Sequence, residues 1–390
     1  MVSLVKGGQV YAPEPLGIKD ILIAGHKIIA FGQPGSIQVD GFPLQVIEAA
    51  EKIVLPGFID SHVHILGGGG EGGPTTRAPE IHLEDIISAG VTTVIGCLGT
   101  DSITRHMTSL LAKARALEQE GISTYIFSGA YDIPVVTLTG SVRSDLVLID
   151  KVIGAGEVAL SDHRSSQPTF EELAHLAAEC RVGGLLGGKA GILHVHLGDG
   201  PRRLELLWRL VRETEIPISQ VIPTHVNRHR DLLEDALAFA AQGGTIDLTA
   251  LPKDQNDPKD VPVETAIVLA REKKVPLSRL TISSDANGSL PVFDAAGKLI
   301  GLTIASPQSL WQTFQALLKQ KIISLEEAAY LFAANAANAY KLAGKGGLKP
   351  GSDADLIIIN ADFNLESVMA RGKLLLHQGK LLARSTFIQR

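Results

Sequence analysis

Residues Pro56–His64 read PGFIDSHVH, an apolar run typical of a buried β-strand that ends in two histidines. Residues i and i+2 of an extended chain point to the same face, so His62 and His64 can bind one metal ion together. Four glycines follow at 67–70, and then Glu71. The stretch therefore predicts a strand that carries metal ligands at its C-terminal end, followed by a loop whose backbone approaches another group closely.

Seven further strand candidates follow this one, and the segments between them have helical spacing. The eight candidates lie at 53–60, 91–97, 123–130, 156–162, 192–199, 219–226, 245–250 and 280–286. This alternation over residues 56–344 predicts a (β/α)₈ TIM-like barrel, which typically takes about 250 residues. The alternative is a doubly wound open sheet, but no Gly-x-Gly-x-x-Gly turn follows the first strand to support it.

The two ends of the chain differ from the middle. DILIAGHKIIAFG at 20–32 has the pattern of a β-hairpin, and more short strands follow in DADLIIIN at 353–360 and in ESVMARGKLLLHQGKLL at 366–382. We expect residues 1–55 and 345–390 to pack together as a small β-sandwich domain outside the barrel.

The composition is typical of a globular protein and argues against a nucleic-acid-binding or membrane-spanning one. The 390 residues are 45% hydrophobic and 20% charged, which is ordinary for a globular protein with a large core. A net charge of −6 with no basic block argues against a nucleic-acid or anionic-membrane partner. No apolar run approaches the roughly 20 residues that span a bilayer, and no signal peptide is recognisable. With Cys97 and Cys180 as the only cysteines, we expect a cytoplasmic protein.

Barrel enzymes place their catalytic groups at the C-terminal ends of the strands. Metal-ligand side chains occupy these positions here: His62 and His64, Glu157, His196, His225 and Asp285. His194 points to the same face as His196, so spacing alone does not choose between them. Six ligands are too many for one tetrahedral ion, and they suit two ions about 3.5–4 Å apart that share a carboxylate and a hydroxide. Glu157 is the candidate bridge, Asp285 can take a proton from the bridging water, and hydrolysis is the predicted chemistry.

These motifs resemble the amidohydrolase superfamily through PGFIDSHVH, the strand-end histidines, SSDANGS and GLKPGSDADLIII. A closer set is similar to the isoaspartyl (β-aspartyl) dipeptidase family. It comprises HVHILGGGGEGGPTTRAPE, GAYDIP, SDHRSS, HLGD, PTHVNR, GGTIDLT and SSDANGS, and the resemblance covers residues 50–360.

The resemblance implies a metal-dependent dipeptidase in which a metal-bound hydroxide attacks the amide formed by an aspartate side chain, with Asp285 as general base and acid. It favours His196 over His194 as a ligand and implies two divalent ions, with zinc expected, and a homo-oligomer. It also shows a departure. Most of the superfamily has a carboxylated lysine as the bridge, whereas this chain has Glu157, which keeps the charge on a shorter arm.

The resemblance further assigns substrate-binding residues. Glu71 would pair with the α-ammonium group of the substrate, and Gly69 and Thr100 would contact its α-carboxylate. Tyr131 would donate to the developing oxyanion, and Ser289 would contact the aspartyl head. Arg164 and Arg228 would hold the substrate carboxylates, in an order that stays open.

The main alternative activity is that of a cyclic amidase of the dihydroorotase or hydantoinase type. Its substrates lack a free α-ammonium group, so Glu71 discriminates between the two readings. The role of His163 and the preference for the second residue of the dipeptide, which depends on loops such as 251–262, also stay open.

Overall fold

The computed structural model describes residues 2–251, 257–293 and 299–386. Five strands precede the barrel: β1 Val2–Tyr11, β2 Pro15–Ala24, β3 Lys27–Gly32, β4 Leu44–Glu48 and β5 Ile53–Pro56. Eight strands form the barrel: β6 Phe58–Val63, β7 Val91–Gly96, β8 Ser123–Ser128, β9 Val152–Leu160, β10 Ile192–Leu197, β11 Val221–Thr224, β12 Ile246–Thr249 and β13 Leu280–Ser283. A hairpin and four strands complete the chain: β14 Ser289–Phe293, β15 Leu299–Ile304, β16 Leu356–Ile359, β17 Leu365–Ala370, β18 Lys373–His377 and β19 Lys380–Leu381.

The barrel strands run parallel and in sequence order. Strands β6 to β11 form one six-stranded sheet, and β12 pairs with β13. Two backbone hydrogen bonds link these sheets: Val226 N–H donates to the Asp247 carbonyl at 3.4 Å, and His64 N–H donates to the Ala286 carbonyl at 2.8 Å. The ring is therefore closed, and the predicted eight-stranded barrel is confirmed.

Helices cover the outside of the barrel. They are α1 Leu83–Ser88, α2 Met107–Glu120, α3 Val142–Leu148, α4 Phe170–Gly187, α5 Glu205–Glu213, α6 Arg230–Ala241, α7 Val263–Glu272, α8 Gln308–Lys319, α9 Leu325–Ala329 and α10 Asn335–Ala339, with a π-helical turn at Tyr330–Ala334 between the last two. Ser141, Thr169 and Ser324 begin α3, α4 and α9 with capping boxes, in which side chains satisfy the free N–H groups of the first turn. Except for the partly buried Tyr125 of β8, the residues of all eight barrel strands are buried, so their apolar side chains form the core together with the inner faces of these helices.

Strands from both ends of the chain form a second sheet. Its order is β19-β18-β17-β16-β5-β1-β2-β3, and β4 also pairs with β1. Val10, Ile21, Val54 and Ile358 belong to its own apolar core, as expected for a small β unit built from both termini. The stretch 53–60, read as a single strand from sequence, is in fact two: β5 belongs to this terminal sheet, and β6 starts the barrel after Gly57.

One element was not expected from the sequence. The hairpin β14–β15 begins at Ser289, four residues after Asp285. Within the described ranges, no helix is both long enough and apolar enough to cross a lipid bilayer.

Candidate active site

The six candidate metal ligands meet at the C-terminal mouth of the barrel. His62 lies in β6, Glu157 in β9 and His196 in β10. His64 and His225 follow directly on β6 and β11, and Asp285 lies two residues after the end of β13. The side chains are all buried, with at most 9% of the residue exposed: His62, His64, Glu157, His196, His225 and Asp285. The barrel therefore brings together residues that are up to 223 positions apart in sequence (285 − 62).

Four ligand atoms surround a first position. His62 Nε2 lies 3.4 Å from Glu157 Oε1 and 3.5 Å from Asp285 Oδ1. His64 Nε2 lies 3.4 Å and 3.1 Å from the same two oxygens. Ligands of a tetrahedral ion with bonds of about 2.0–2.1 Å lie roughly 3.3 Å apart. Among the described residues, His62 Nε2, Glu157 Oε1 and Asp285 Oδ1 are buried without a hydrogen-bond partner, so the donor set fits a cation.

A second set of ligand atoms faces the other oxygen of the same carboxylate. Glu157 Oε2 lies 2.9 Å from His196 Nδ1 and 3.5 Å from His225 Nε2. Ligand atoms of these three residues lie within 4.8 Å of one another. Glu157 thus directs one oxygen to each set, which is the geometry that a bridging carboxylate requires.

The ionisation of Glu157, Asp285 and His225 suits cation binding. Burial alone would raise the pKa of Glu157, but His62 and His196 hold it well below its usual range. Burial is likewise outweighed at Asp285, whose pKa is lowered mainly by His225 and His64. Burial lowers the pKa of His225 to about 3. At neutral pH the two carboxylates are therefore charged and His225 is neutral, the forms in which these side chains bind metal.

His194, which spacing could not separate from His196, has a different place. Its Nε2 lies 2.8 Å from Nδ1 of His62, and its ring stacks on Phe127 with centroids 4.6 Å apart. Burial and then the proximity of His62 lower its pKa well below the usual value. His194 therefore fixes the orientation of the His62 ring. The sequence did not predict this positioning role, because His194 and His196 of β10 both point into the barrel.

Three of the predicted substrate-binding residues contact one another at the mouth. The Thr100 hydroxyl donates to Glu71 Oε1 at 2.9 Å, and Arg164 Nη1 lies 3.3 Å from the same oxygen. The Glu71 side chain is one-third exposed. The cluster therefore presents a carboxylate and a guanidinium to the solvent side of the ligand sets.

Tyr131 and the two arginines surround His196. The Tyr131 hydroxyl lies 2.9 Å from His196 Nδ1, and the Arg164 guanidinium lies 5.4 Å above the Tyr131 ring. Arg228 Nη2 lies 3.5 Å from His196 Nε2. Burial, reinforced by Glu157, raises the pKa of Tyr131 well above its usual value, so the phenol keeps its proton and can donate a hydrogen bond.

The glycine loop contacts Ser289. Gly69 has φ +72°, and a Cβ built there would lie 2.5 Å from the Thr76 carbonyl oxygen and 3.2 Å from Ser289 Cβ. Only glycine fits this backbone without displacing a neighbour.

Asp162 is a site residue that sequence reasoning missed. Its Oδ2 lies 3.0 Å from His196 Nε2 and accepts from Arg164 Nη2 at 2.7 Å, while Oδ1 accepts from Arg164 Nε at 3.0 Å. The signal available in the sequence was an aspartate just after β9, two residues before the candidate arginine in SDHR. Asp162 thus holds one predicted ligand and one predicted substrate-binding residue together.

Arg105 is a second missed residue, and it shapes the glycine loop. Its guanidinium donates to the carbonyls of Leu66 at 3.3 Å, Gly69 at 3.1 Å, Gly68 at 2.9 Å and Ala78 at 3.2 Å. The side chain is buried. No local motif marks it, because its partners lie 27 to 39 residues away in sequence.

His163, whose role the sequence left open, is exposed. Lys151, the lysine nearest to Glu157 in sequence, donates to the Thr124 carbonyl at 3.1 Å and pairs with Glu118. Of loop 251–262, residues 252–256 lie outside the described ranges.

Comparison with known proteins agrees with this geometry. Residues 53–375 match the profile described as "Amidohydrolase family". A β-aspartyl dipeptidase from Fervidobacterium islandicum AW-1, solved in complex with β-Asp-Leu dipeptide, is 45% identical over 98% of each chain, with a TM-score of 0.89. The resemblance to β-aspartyl dipeptidases predicted from the motifs is confirmed by this match.

More distant relatives share the fold. A D-hydantoinase from Thermus sp. is 17% identical with a TM-score of 0.68, and the match covers 98% of this chain and 97% of the hydantoinase chain. A dihydroorotase from Macrococcus caseolyticus is 37% identical over 71 residues, and that match spans only 16% of the length of this curated relative.

Proposed function

The chain belongs to the amidohydrolase family, and we propose that it hydrolyses β-aspartyl dipeptides with two divalent metal ions. One observation carries the proposal: the Glu71–Arg164–Thr100 cluster stands beside two ligand sets that share Glu157. The first feature fits a substrate with a free amino-acid head, and the second fits hydrolysis.

The ions would be held by this chain's own residues. His62, His64, Glu157 and Asp285 would hold one ion, and Glu157, His196 and His225 would hold the other. Bound divalent ions supply Lewis acidity and a hydroxide nucleophile at neutral pH. Zinc is the proposed native metal, since imidazole with carboxylate is a ligand set that zinc accepts readily.

Two side chains would handle the charge and protons of the reaction. The Asp285 carboxylate is buried beside the ligand sets and is charged at neutral pH, because its pKa is held low, so it would accept the proton of the attacking water and pass it to the leaving amine. The Tyr131 hydroxyl, which keeps its proton at neutral pH, would donate to the oxygen of the attacked amide as negative charge develops there.

Substrate recognition would follow from an exchange of ion pairs. In the free protein Glu71 pairs with Arg164 Nη1 at 3.3 Å, while the other side of the same guanidinium is held by Asp162. A dipeptide linked through the aspartyl side chain keeps a free α-ammonium and an α-carboxylate next to the scissile amide. The ammonium can replace Arg164 as the partner of Glu71, and Arg164 or Arg228 can then bind a substrate carboxylate in a bidentate manner. Gly69, Thr100 and Ser289 line the same region and would contact the aspartyl head.

A cyclic amidase is the second candidate, because hydantoinases share the fold. It is less favoured, since a cyclic ureide or imide has no ammonium group to bind Glu71. The assay that separates the two measures release of leucine from β-Asp-Leu, release from α-Asp-Leu, and opening of dihydroorotate and hydantoin, each with and without chelator. We expect chelator-sensitive cleavage of β-Asp-Leu alone; opening of a ring with no cleavage of β-Asp-Leu would refute the dipeptidase.

The substitution Glu71→Gln tests the recognition step. The amide keeps the shape of the side chain but loses the charge that binds the ammonium group, so kcat/KM for β-Asp-Leu should fall by about 100-fold or more, since charge-assisted hydrogen bonds are among the stronger ones. Metal content should not change. Glu80→Gln, in a surface pair with Lys113, serves as the control, and near-normal turnover by Glu71→Gln would contradict the proposal.

We also propose a cytoplasmic homo-oligomer. The apolar side chains Val147, Leu148, Leu185 and Leu186, at the ends of α3 and α4, are between 41% and 70% exposed, which makes this surface a candidate for contact between subunits. Light scattering of the purified protein tests this point.

A further inference from the structure

One arginine outside the ligand sets uses every hydrogen-bond donor that it has. Arg105 lies between β7 and α2 and is 4% exposed, and a guanidinium carries five N–H groups. Nε donates to the Leu66 carbonyl, Nη2 to the carbonyls of Gly68 and Ala78, and Nη1 to the Gly69 carbonyl and Asp101 Oδ2, all at 2.9–3.3 Å. The side chain is therefore fully paired, and four of its five partners lie 27 to 39 residues away in sequence.

The glycine loop, residues 66–78, depends on this arrangement. Its four carbonyl groups converge on a single buried point, where their negative ends repel one another unless positive charge lies between them. Buried carbonyl oxygens that lose their donor are also costly. Without the Arg105 guanidinium the loop would therefore turn these carbonyls toward water and follow another backbone path.

Glu71 lies on the loop that is held in this way. It is two residues after Gly69, whose carbonyl accepts from Arg105, and its Oε1 accepts from the Thr100 hydroxyl at 2.9 Å. Thr100 and Arg105 belong to the same segment between β7 and α2. This segment thus fixes the backbone beside Glu71 through Arg105, and the Glu71 carboxylate through Thr100.

We propose that Arg105 is a positioning residue that sets the selectivity of the site for substrates with a free α-ammonium group. This role rests on the proposed function, because it requires that Glu71 binds the ammonium group. Arg105 acts through the loop and holds Glu71 in place before the substrate arrives. A carboxylate that is already fixed loses less conformational entropy on binding than one on a moving loop.

Two substrates that differ only in the amine test the proposal. N-succinyl-leucine has the amide and both carboxylates of β-Asp-Leu but lacks the α-ammonium group, and hydrolysis of either compound releases leucine. The wild type should have the higher kcat/KM for β-Asp-Leu. In Arg105→Ala the ratio of the two kcat/KM values should fall by about 10-fold or more, mainly through KM for β-Asp-Leu, since a misplacement of about 1 Å can cost about 100-fold. Turnover of N-succinyl-leucine and metal content should stay near the wild-type values.

A rescue experiment and a control variant separate positioning from general damage. Guanidinium chloride at millimolar concentration should restore part of the ratio in Arg105→Ala, because the free ion can occupy the vacated place, and should have no such effect in Arg105→Lys. Arg271→Ala is the control. Arg271 of α7 also donates to a backbone carbonyl, that of Ile322, and pairs with Glu327 of α9, so its loss should leave the ratio unchanged.

The outcomes distinguish this role from the proposed function. If the wild type cleaves β-Asp-Leu and Arg105→Ala keeps the wild-type ratio, or loses both activities equally, Arg105 does not set selectivity and the dipeptidase proposal stands. If the wild type cleaves neither compound, the proposed function fails and this role fails with it.

Should the Arg105 variants fail to fold, hydrogen exchange in the wild type gives the answer. Amides of residues 66–78 should be protected before any ligand is added, and aspartate, the product that carries the ammonium group, should change their exchange little. Protection that appears only with aspartate would mean that the ligand, and not Arg105, positions Glu71.

Discussion

Glu157 has a demanding position for a single side chain, since each of its oxygens faces a different set of histidines. In Glu157→Gln the bridging charge is lost, and one oxygen becomes an amide nitrogen that cannot bind a cation. We expect metal content to fall below two ions per chain. Activity should fall by more than the roughly 10–100-fold that loss of an outer-shell partner costs.

Elemental analysis and the β-Asp-Leu assay check the Glu157 prediction. Asp145→Asn is the control, because Asp145 is equally buried but binds Ser128 and the backbone of Leu138; it should lower stability and leave metal content alone. Two tightly bound ions in Glu157→Gln would mean that another group forms the bridge.

At the scale of single residues, the sequence predicted the candidate metal ligands better than the residues that contact and orient those ligands. The strand ends identify His62, His64 and Glu157 because a barrel collects strand ends at one face. The roles of Asp162 and of His194, which spacing offered only as an alternative ligand, were not predicted because they depend on side-chain direction, which spacing does not give. His194 and His196 share a face, and only packing against Phe127 places the former beneath the site.

On the proposed function, the loop between β6 and α1 is the element on which substrate recognition would depend most. Gly69→Ala should cost about 1 kcal/mol for its left-handed backbone and should also push the loop away from Thr76 and Ser289. KM for β-Asp-Leu should therefore rise in Gly69→Ala, beyond any effect that the loss of stability alone would cause. Gly35→Ala is the matched control, because Gly35 has a similar φ of +77° with nothing within 4 Å of the added Cβ. Equal KM values in the two variants would show that the loop absorbs the methyl group.

The segment after β7 holds this loop through Asp101, which pairs with Arg77 and Arg105. Partial burial would raise the pKa of Asp101, but the Thr104 hydroxyl, backbone N–H groups and Arg77 hold it well below its usual range. A carboxyl with a depressed folded-state pKa contributes stability above its unfolded pKa of about 4 and loses it as the pH falls.

In Asp101→Asn the free energy of unfolding should be lower by roughly 1–2 kcal/mol at neutral pH, and the difference from wild type should shrink below about pH 4. Urea unfolding at several pH values measures it. A difference that does not vary with pH would show that the Asp101 charge contributes nothing.

The barrel and the terminal sheet are joined by a buried ion cluster. Lys345 Nζ lies 2.7 Å from Asp353 Oδ2, 2.6 Å from Asp355 Oδ2 and 2.5 Å from the Ser123 hydroxyl of barrel strand β8. Lys345→Met would leave two carboxylates without this partner in a buried place, a loss of about 3–5 kcal/mol. Lys27→Met removes a more exposed partner of Asp353 and should cost far less. Calorimetry compares the two; similar melting temperatures would mean that the cluster contributes little.

For the molecule as a whole, the barrel could be predicted because its eight strands alternate with helices along the chain and so leave a periodic signal. The terminal unit was also predictable, since short strands at both ends need a common partner sheet. The reach of Arg105 could not be predicted, because it depends on contacts between distant segments. The hairpin after Asp285 was missed although its two strands are neighbours in sequence. The positions of the candidate ligands could thus be predicted from the order of the strands, whereas the arrangement of the loops at the mouth depends on tertiary packing.

The proposed role of Glu157 as the bridge also has a consequence for how the protein would mature. A carboxylated lysine forms only when dissolved carbon dioxide reacts with the amine, whereas Glu157 is complete as soon as the ribosome has incorporated it. On the proposed assignment, newly made chains of this protein would need folding and a supply of metal to become active, and the carbon dioxide content of the cell would have no part in the process.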